Sequence, residues 1–158
     1  MRRNPARFAI LVGGGIAATL DLIYAIVYSS IRGVPAMRVM QSVASGVLGQ
    51  PAYDGGAQTA VLGVCLHYAM AFLIAAIFWF ASRRLAFMTR RPFLTGFAYG
   101  VCVYLVMNFV VIPLSAFPTA MTFTPVRVAI NLVAHMLLFG LPIALVTRAA
   151  SSHSGAMR

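Results

Sequence analysis

"AATLDLIYAIVY", residues 17–28, sets a carboxylate, Asp21, inside an otherwise apolar run. The run extends over residues 8–30, and a helix crosses the hydrocarbon core of a bilayer in about 20 residues. Three more such stretches follow at 58–82, 92–114 and 126–147. The chain has 158 residues, 61% of them hydrophobic and 9% charged, with a mean hydropathy of +0.91. That lies outside the composition of soluble domains. The expected fold is therefore all-α: an integral membrane four-helix up-down bundle, a single domain over 1–148, followed by a disordered tail over 149–158. The charged start and apolar run at the N-terminus also fit a secretory signal. The run continues through Tyr28 with only Asp21 to interrupt it, so the first helix is expected to be retained.

Working outward, the acids become conspicuous by their scarcity. Asp21 and Asp54 stand against twelve basic residues, all arginines, for a net charge of +10. In a soluble chain that excess suggests nucleic acid. Here the arginines lie outside the apolar runs, where they meet lipid headgroups and set topology, so nucleic acid is not an expected partner. Arg2, Arg3, Arg7, Arg83, Arg84, Arg90, Arg91, Arg148 and Arg158 fall on one side of the membrane, and only Arg32, Arg38 and Arg127 on the other. The positive-inside rule then makes both termini cytoplasmic in a bacterial inner membrane.

The first outer loop carries a pattern of its own. In "PAMRVMQSVASGVLG" (35–49) Ala36, Met40, Val43 and Val47 recur at helical spacing, opposite Arg38, Gln41, Ser42 and Ser45. This predicts a short amphipathic helix over 35–48, led by Pro35, lying at the interface or over the mouth of the bundle. Asp54, in the following "GQPAYDGG", is expected to face water and to cap the start of the second span.

Helices in lipid cannot associate by hiding apolar surface, because the lipid is equally apolar. Small residues that permit close approach, and polar groups that bond across helices, mark the inward faces instead. Such stripes are present in every span: Gly13, Ala17, Asp21, Tyr24 and Tyr28; Thr59, Gly63, His67, Ala71 and Ala75; Gly96, Gly100, Tyr104 and Asn108, with Pro113 as a kink; Asn131, His135, Phe139 and Pro142. At about 1.5 Å rise per residue, Asp21, His67, Asn108 and His135 all fall roughly 9–14 Å below the outer boundary. The expected site is thus one polar layer of Asp21, His67, Asn108 and His135, with Tyr24, Tyr104 and Asn131 beside it. It would bind a proton, an ion or a small ligand, with a histidine as the partner of Asp21. Intramembrane ionisable residues carry that expectation by default, because charge is costly there.

Other chemistries find less support. Cys65 and Cys102 form no C-x-x-C or haem-attachment pattern and are expected to be small core residues. H-E-x-x-H, G-x-S-x-G, Walker and G-x-G-x-x-G signatures are missing from the sequence, and two acids leave no room for paired-carboxylate catalysis. A non-enzymatic protein without cofactor or metal is the expectation. A b-type haem between His67 and His135 is a lesser alternative, and a structural or accessory subunit, packing on copies of itself or a membrane partner, is the main one.

The segments "RVMQSVASGVLG" (38–49), "LGVCLHYAMAF" (62–72), "YLVMNFVVIPLS" (104–115) and "NLVAHMLLFGLPIAL" (131–145) resemble a group of small, uncharacterised bacterial inner-membrane proteins, more distantly the YagU family. The resemblance implies a membrane location and four spans. It implies no activity.

Overall fold

The computed structural model describes residues 4–119 and 122–155, with side chains to residue 152. Every regular element among them is helical. Four helices are long and apolar enough to cross a membrane: α1 (Pro5–Ser30), α3 (Gly56–Arg84), α5 (Pro92–Leu114) and α6 (Pro125–Ser152). Between the first two lies α2 (Ala36–Leu48), and α4 (Phe87–Arg90) is one turn in the α3–α5 connection. The four-helix bundle expected from the apolar runs is therefore present. Helical backbone continues past α6 to Gly155, so residues 149–155 of the expected disordered tail are helical, and 156–158 lie outside the described residues.

Local chemistry sets the helix starts. Asn4 Oδ1 accepts from the Ala6 and Arg7 amides ahead of α1, with Pro5 in the first turn, where its missing N–H costs nothing. Thr124 Oγ1 accepts from the Arg127 amide in the same way, again beside a proline, Pro125. Asp54 plays no such part. It is exposed, and α3 begins at Gly55–Gly56 with no side-chain cap; Gly56 has φ +58°, a conformation that suits glycine.

Packing follows the small-residue stripes. Helix α1 lies between α3 and α6, and α5 lies on α6. The core joins Ala17, Ala18, Ala71, Ala75, Phe78, Val103, Phe139, Ile143 and Ala144. Near the termini a second cluster joins Ala9, Trp79 and Ala150. Helices α3 and α5 meet through long side chains: the Tyr99 hydroxyl donates to the Ile74 carbonyl at 2.7 Å, and the Tyr99 and Phe78 rings are 4.8 Å apart. Cys65 and Cys102 are exposed on the outer faces of α3 and α5, not in the core. A thiol is apolar enough for lipid, so composition alone could not orient them.

Helix α2 exists where expected, and Val43 and Val47 of the expected apolar face line a cavity at the mouth of the bundle, but a different face packs on α3. Its buried residues are Val39, Gln41, Ala44 and Ser45, whereas Val47, a member of the expected apolar face, is 64% exposed. Gly63 explains this: the Met40 carbonyl occupies the place a Cβ would take, so α2 lies with its backbone directly on α3. Small Ala44 and Ser45 permit that approach. Gln41 is satisfied there by the Gly56 carbonyl at 3.1 Å and Thr59 Oγ1 at 3.5 Å. Backbone proximity and paired polar groups thus outrank side-chain hydropathy in setting the face.

Three spans contain a π-helical segment: Ala9–Gly13 in α1, Met107–Val111 in α5 and His135–Gly140 in α6. The last two end shortly before prolines, Pro113 and Pro142. A proline has no N–H for the carbonyl four residues back and its ring clashes with that carbonyl. Phe109 and Leu138 carry those carbonyls, and both lie in the widened segments. The wider turn relieves the clash and shifts the side-chain register of the helix.

Candidate functional site

A cavity of about 560 Å³ runs from the loops around α2 into the middle of the bundle. Asp21, Tyr24, His67, Tyr104, Asn108, Asn131 and His135 all line it. All four spans contribute, and the remaining wall is mainly apolar, including Met70, Ile74, Val103, Met107 and Phe139. Both prolyl π segments present residues to it: Asn108 lies in one, and His135 and Phe139 in the other.

The histidines do not meet Asp21. His67 Nε2 lies 2.9 Å from the Ala18 carbonyl, and His135 Nδ1 lies 2.8 Å from the Asn131 carbonyl. A carbonyl oxygen only accepts, so each of these nitrogens carries its hydrogen and donates. In the neutral ring the other nitrogen, Nδ1 of His67 and Nε2 of His135, is then an acceptor. Asn108 Nδ2 donates to the Tyr104 carbonyl at 2.8 Å, and Asn131 Nδ2 to the Arg127 carbonyl at 2.7 Å. The Tyr24 hydroxyl donates to Asn131 Oδ1 at 3.2 Å, tying α1 to α6. His135 is further fixed by the Tyr104 ring, edge-on at 5.4 Å.

Asp21 is half-buried, and among the described residues no hydrogen bond or ion pair reaches its carboxylate. The expected Asp–His pair is absent from this arrangement. The same four polar residues nonetheless surround one space. Among the described residues no three His, Cys, Asp or Glu side chains converge closely enough for a metal ion. The titratable groups are distributed around the wall rather than focused on a point.

Two further wall residues are arginines, whose charge in the sequence points only to topology. Arg32 and Arg127 lie at the mouth. Arg32 donates to the Tyr28 hydroxyl at 3.1 Å, with its guanidinium 5.5 Å from the ring centroid; that ring in turn stacks on Tyr24 at 5.7 Å. Arg127 donates to Thr122 Oγ1 at 2.8 Å. Their signal was spacing: Arg32 stands four residues after Tyr28, and Arg127 four before Asn131, so each continues a stripe already marked as inward.

Comparison with known proteins leaves this geometry to stand alone: no family model, no curated protein and no solved structure matches the chain.

Proposed function

We propose that this multi-pass membrane protein resides in a bacterial inner membrane with both termini cytoplasmic, and that its cavity receives a small ligand from the outer side. One observation carries the ligand reading: four helices direct polar side chains into a shared space and leave part of their hydrogen-bonding capacity unspent. These side chains are half-buried and face the cavity, so their unspent capacity is open to whatever enters a space of ligand size, and this supports binding. The end of the bundle that carries the mouth has three arginines, Arg32, Arg38 and Arg127, against nine at the other end, and this supports an outward-facing opening.

The accessory-subunit reading draws less support, because the closest small-residue contacts are used within the chain. Gly63 receives α2, and Gly96, Gly100 and Gly140 bring α5 onto α6. A bis-histidine haem is disfavoured by His67, whose Nε2 is committed to the Ala18 carbonyl.

Cysteine accessibility in intact cells tests the proposal. In a Cys65→Ser/Cys102→Ser background, Ala25→Cys and Asn108→Cys should react with an impermeant thiosulfonate added outside, whereas Ala75→Cys, in the dry core, should not. Reaction of Ala75→Cys alone, or of none, would sink the outward cavity.

A further inference from the structure

The cavity is polarised along its length, and this specifies the class of ligand. Resting on the ligand-binding reading above, we infer that it takes a linear zwitterion, with an ammonium at the inner end and a carboxylate at the mouth. A short, extended, apolar peptide of about three residues has that form.

At the inner end acceptors outnumber donors. Backbone carbonyls consume the ring N–H of His67 and of His135, and one amide N–H of Asn108. What these side chains retain is three acceptors, His67 Nδ1, His135 Nε2 and Asn108 Oδ1, and one donor, the second amide N–H of Asn108. The unpartnered Asp21 carboxylate is also an acceptor, and it supplies negative charge. An anion would meet lone pairs and a like charge here. A neutral hydrocarbon would strand several polar groups without partners. A group with several N–H donors and a positive charge satisfies both conditions, and an ammonium has three.

The mouth is the reverse. Arg32 and Arg127 line it, with no ion pair to either among the described residues. Each guanidinium is steadied by a neutral partner, Tyr28 or Thr122, through one nitrogen. The remaining N–H groups of a guanidinium form a fork that suits a carboxylate. The only acids in the chain are Asp21 and Asp54, and Asp54 is exposed in the loop before α3. A carboxylate on the ligand would therefore complete the charge pattern.

Length follows from the helix. The Arg32 guanidinium folds back onto Tyr28, seven residues beyond Asp21, which is about 10 Å along a helix rising 1.5 Å per residue. An extended chain spans about 3.3–3.6 Å per residue, so a tripeptide bridges the two ends. Met70, Ile74, Val103 and Met107 form the wall between them, which suits apolar side chains and flexible fitting.

The test uses the full chain in lipid nanodiscs, with trileucine as probe in free, N-acetylated and C-amidated forms, read by calorimetry. The free peptide should bind, and each blocked form should bind about tenfold or more weakly, because each loses one charged contact. Asp21→Asn should abolish discrimination against the acetylated form alone. Arg32→Gln with Arg127→Gln, at the mouth and outside the packed core, should abolish discrimination against the amide alone. Equal binding of all three forms, or none of the free peptide, would overturn the zwitterion. The two readings separate cleanly: cysteines that react from outside while trileucine fails to bind would sink the ligand class and spare the cavity. Unreactive cysteines would sink both.

Discussion

The two ends of the bundle are built from the same kind of residue stripe and come out opposite. Toward the termini, small residues face small residues and the helices close on one another. Gly14 lies against Ala71 and Ala75 of α3, and Gly96 against Leu141 and Ala144 of α6; Ile143, Ala144 and Thr147 are fully buried. Toward α2, the stripes carry Asp21, His67, Asn108 and His135, and there the helices leave a cavity. A small residue saves space that a neighbouring backbone can fill. A large polar residue that has spent its hydrogens on its own or a neighbouring helix holds the helices apart. The place where closing gives way to opening should therefore be the most sensitive in the molecule.

Gly100 stands at that boundary and should give the largest effect. A Cβ there would fall 2.5 Å from the His135 carbonyl oxygen and from Met136 Cα, both rigid backbone. Gly100→Val is expected to cost about 3 kcal/mol or more, since overpacking a tight contact forces backbone to move. It should appear as loss of monodisperse protein in detergent and a collapsed melting temperature. Gly15→Ala is the control: its Cβ would meet only Phe72 Cε1, at 3.9 Å, and it should be tolerated. Equal sensitivity at the two positions would break the idea that one seam divides the molecule.

Gly63→Ala should come next, at about 2 kcal/mol. Its Cβ would strike the Met40 carbonyl, so α2 must lift from α3 at the mouth of the cavity. Limited proteolysis between residues 31 and 55 should quicken while the four spans stay protected. Unchanged cleavage would mean that α2 is held by its loops rather than by this contact.

The same boundary explains what the sequence could and could not reveal. The four spans were legible because lipid demands long apolar runs, and the inward faces because packing in lipid demands small and polar residues. Asp21, His67, Asn108 and His135 could be set in one layer by counting residues from span ends. Hydrogen-bond partners could not be read this way, since the winning acceptors are backbone carbonyls, Ala18 O and Asn131 O, which every residue offers. Gly140 was missed for a different reason. The π segment His135–Gly140 breaks the four-residue spacing, and brings Gly140 against Gly96 and Gly100 one residue after Phe139. The orientation of α2 was hidden because a glycine on another helix decides it.

A smaller effect of opposite sign is expected in the dry end. Thr147 is fully buried, and among the described residues its hydroxyl oxygen has no hydrogen-bond partner. Thr147→Val keeps the shape and removes the unsatisfied group, so it should stabilise by about 1 kcal/mol. A loss in the melt would mean that the hydroxyl has a partner, and the dry end would be less dry than its packing implies.

The smallest expected change is at the most costly residue. If Asp21 were half of a buried ion pair, removing its charge would cost about 3–5 kcal/mol, by abandoning the other half. The arrangement of His67 and His135 argues otherwise, since each holds a backbone carbonyl and neither reaches the carboxylate. Asp21→Asn should then shift stability by no more than about 0.5 kcal/mol, and a gain is more natural than a loss, because a carboxylate in a membrane cavity is poorly solvated. His67→Ala, which releases the Ala18 carbonyl, should by contrast lose about 0.6 kcal/mol, the average for a polar contact between membrane helices. Melts of both variants in the same detergent decide the matter. If Asp21→Asn proved the more damaging of the two, the carboxylate would belong to the scaffold. A neutral result leaves an acid that contributes nothing to the fold, and such a group is free to serve whatever occupies the cavity.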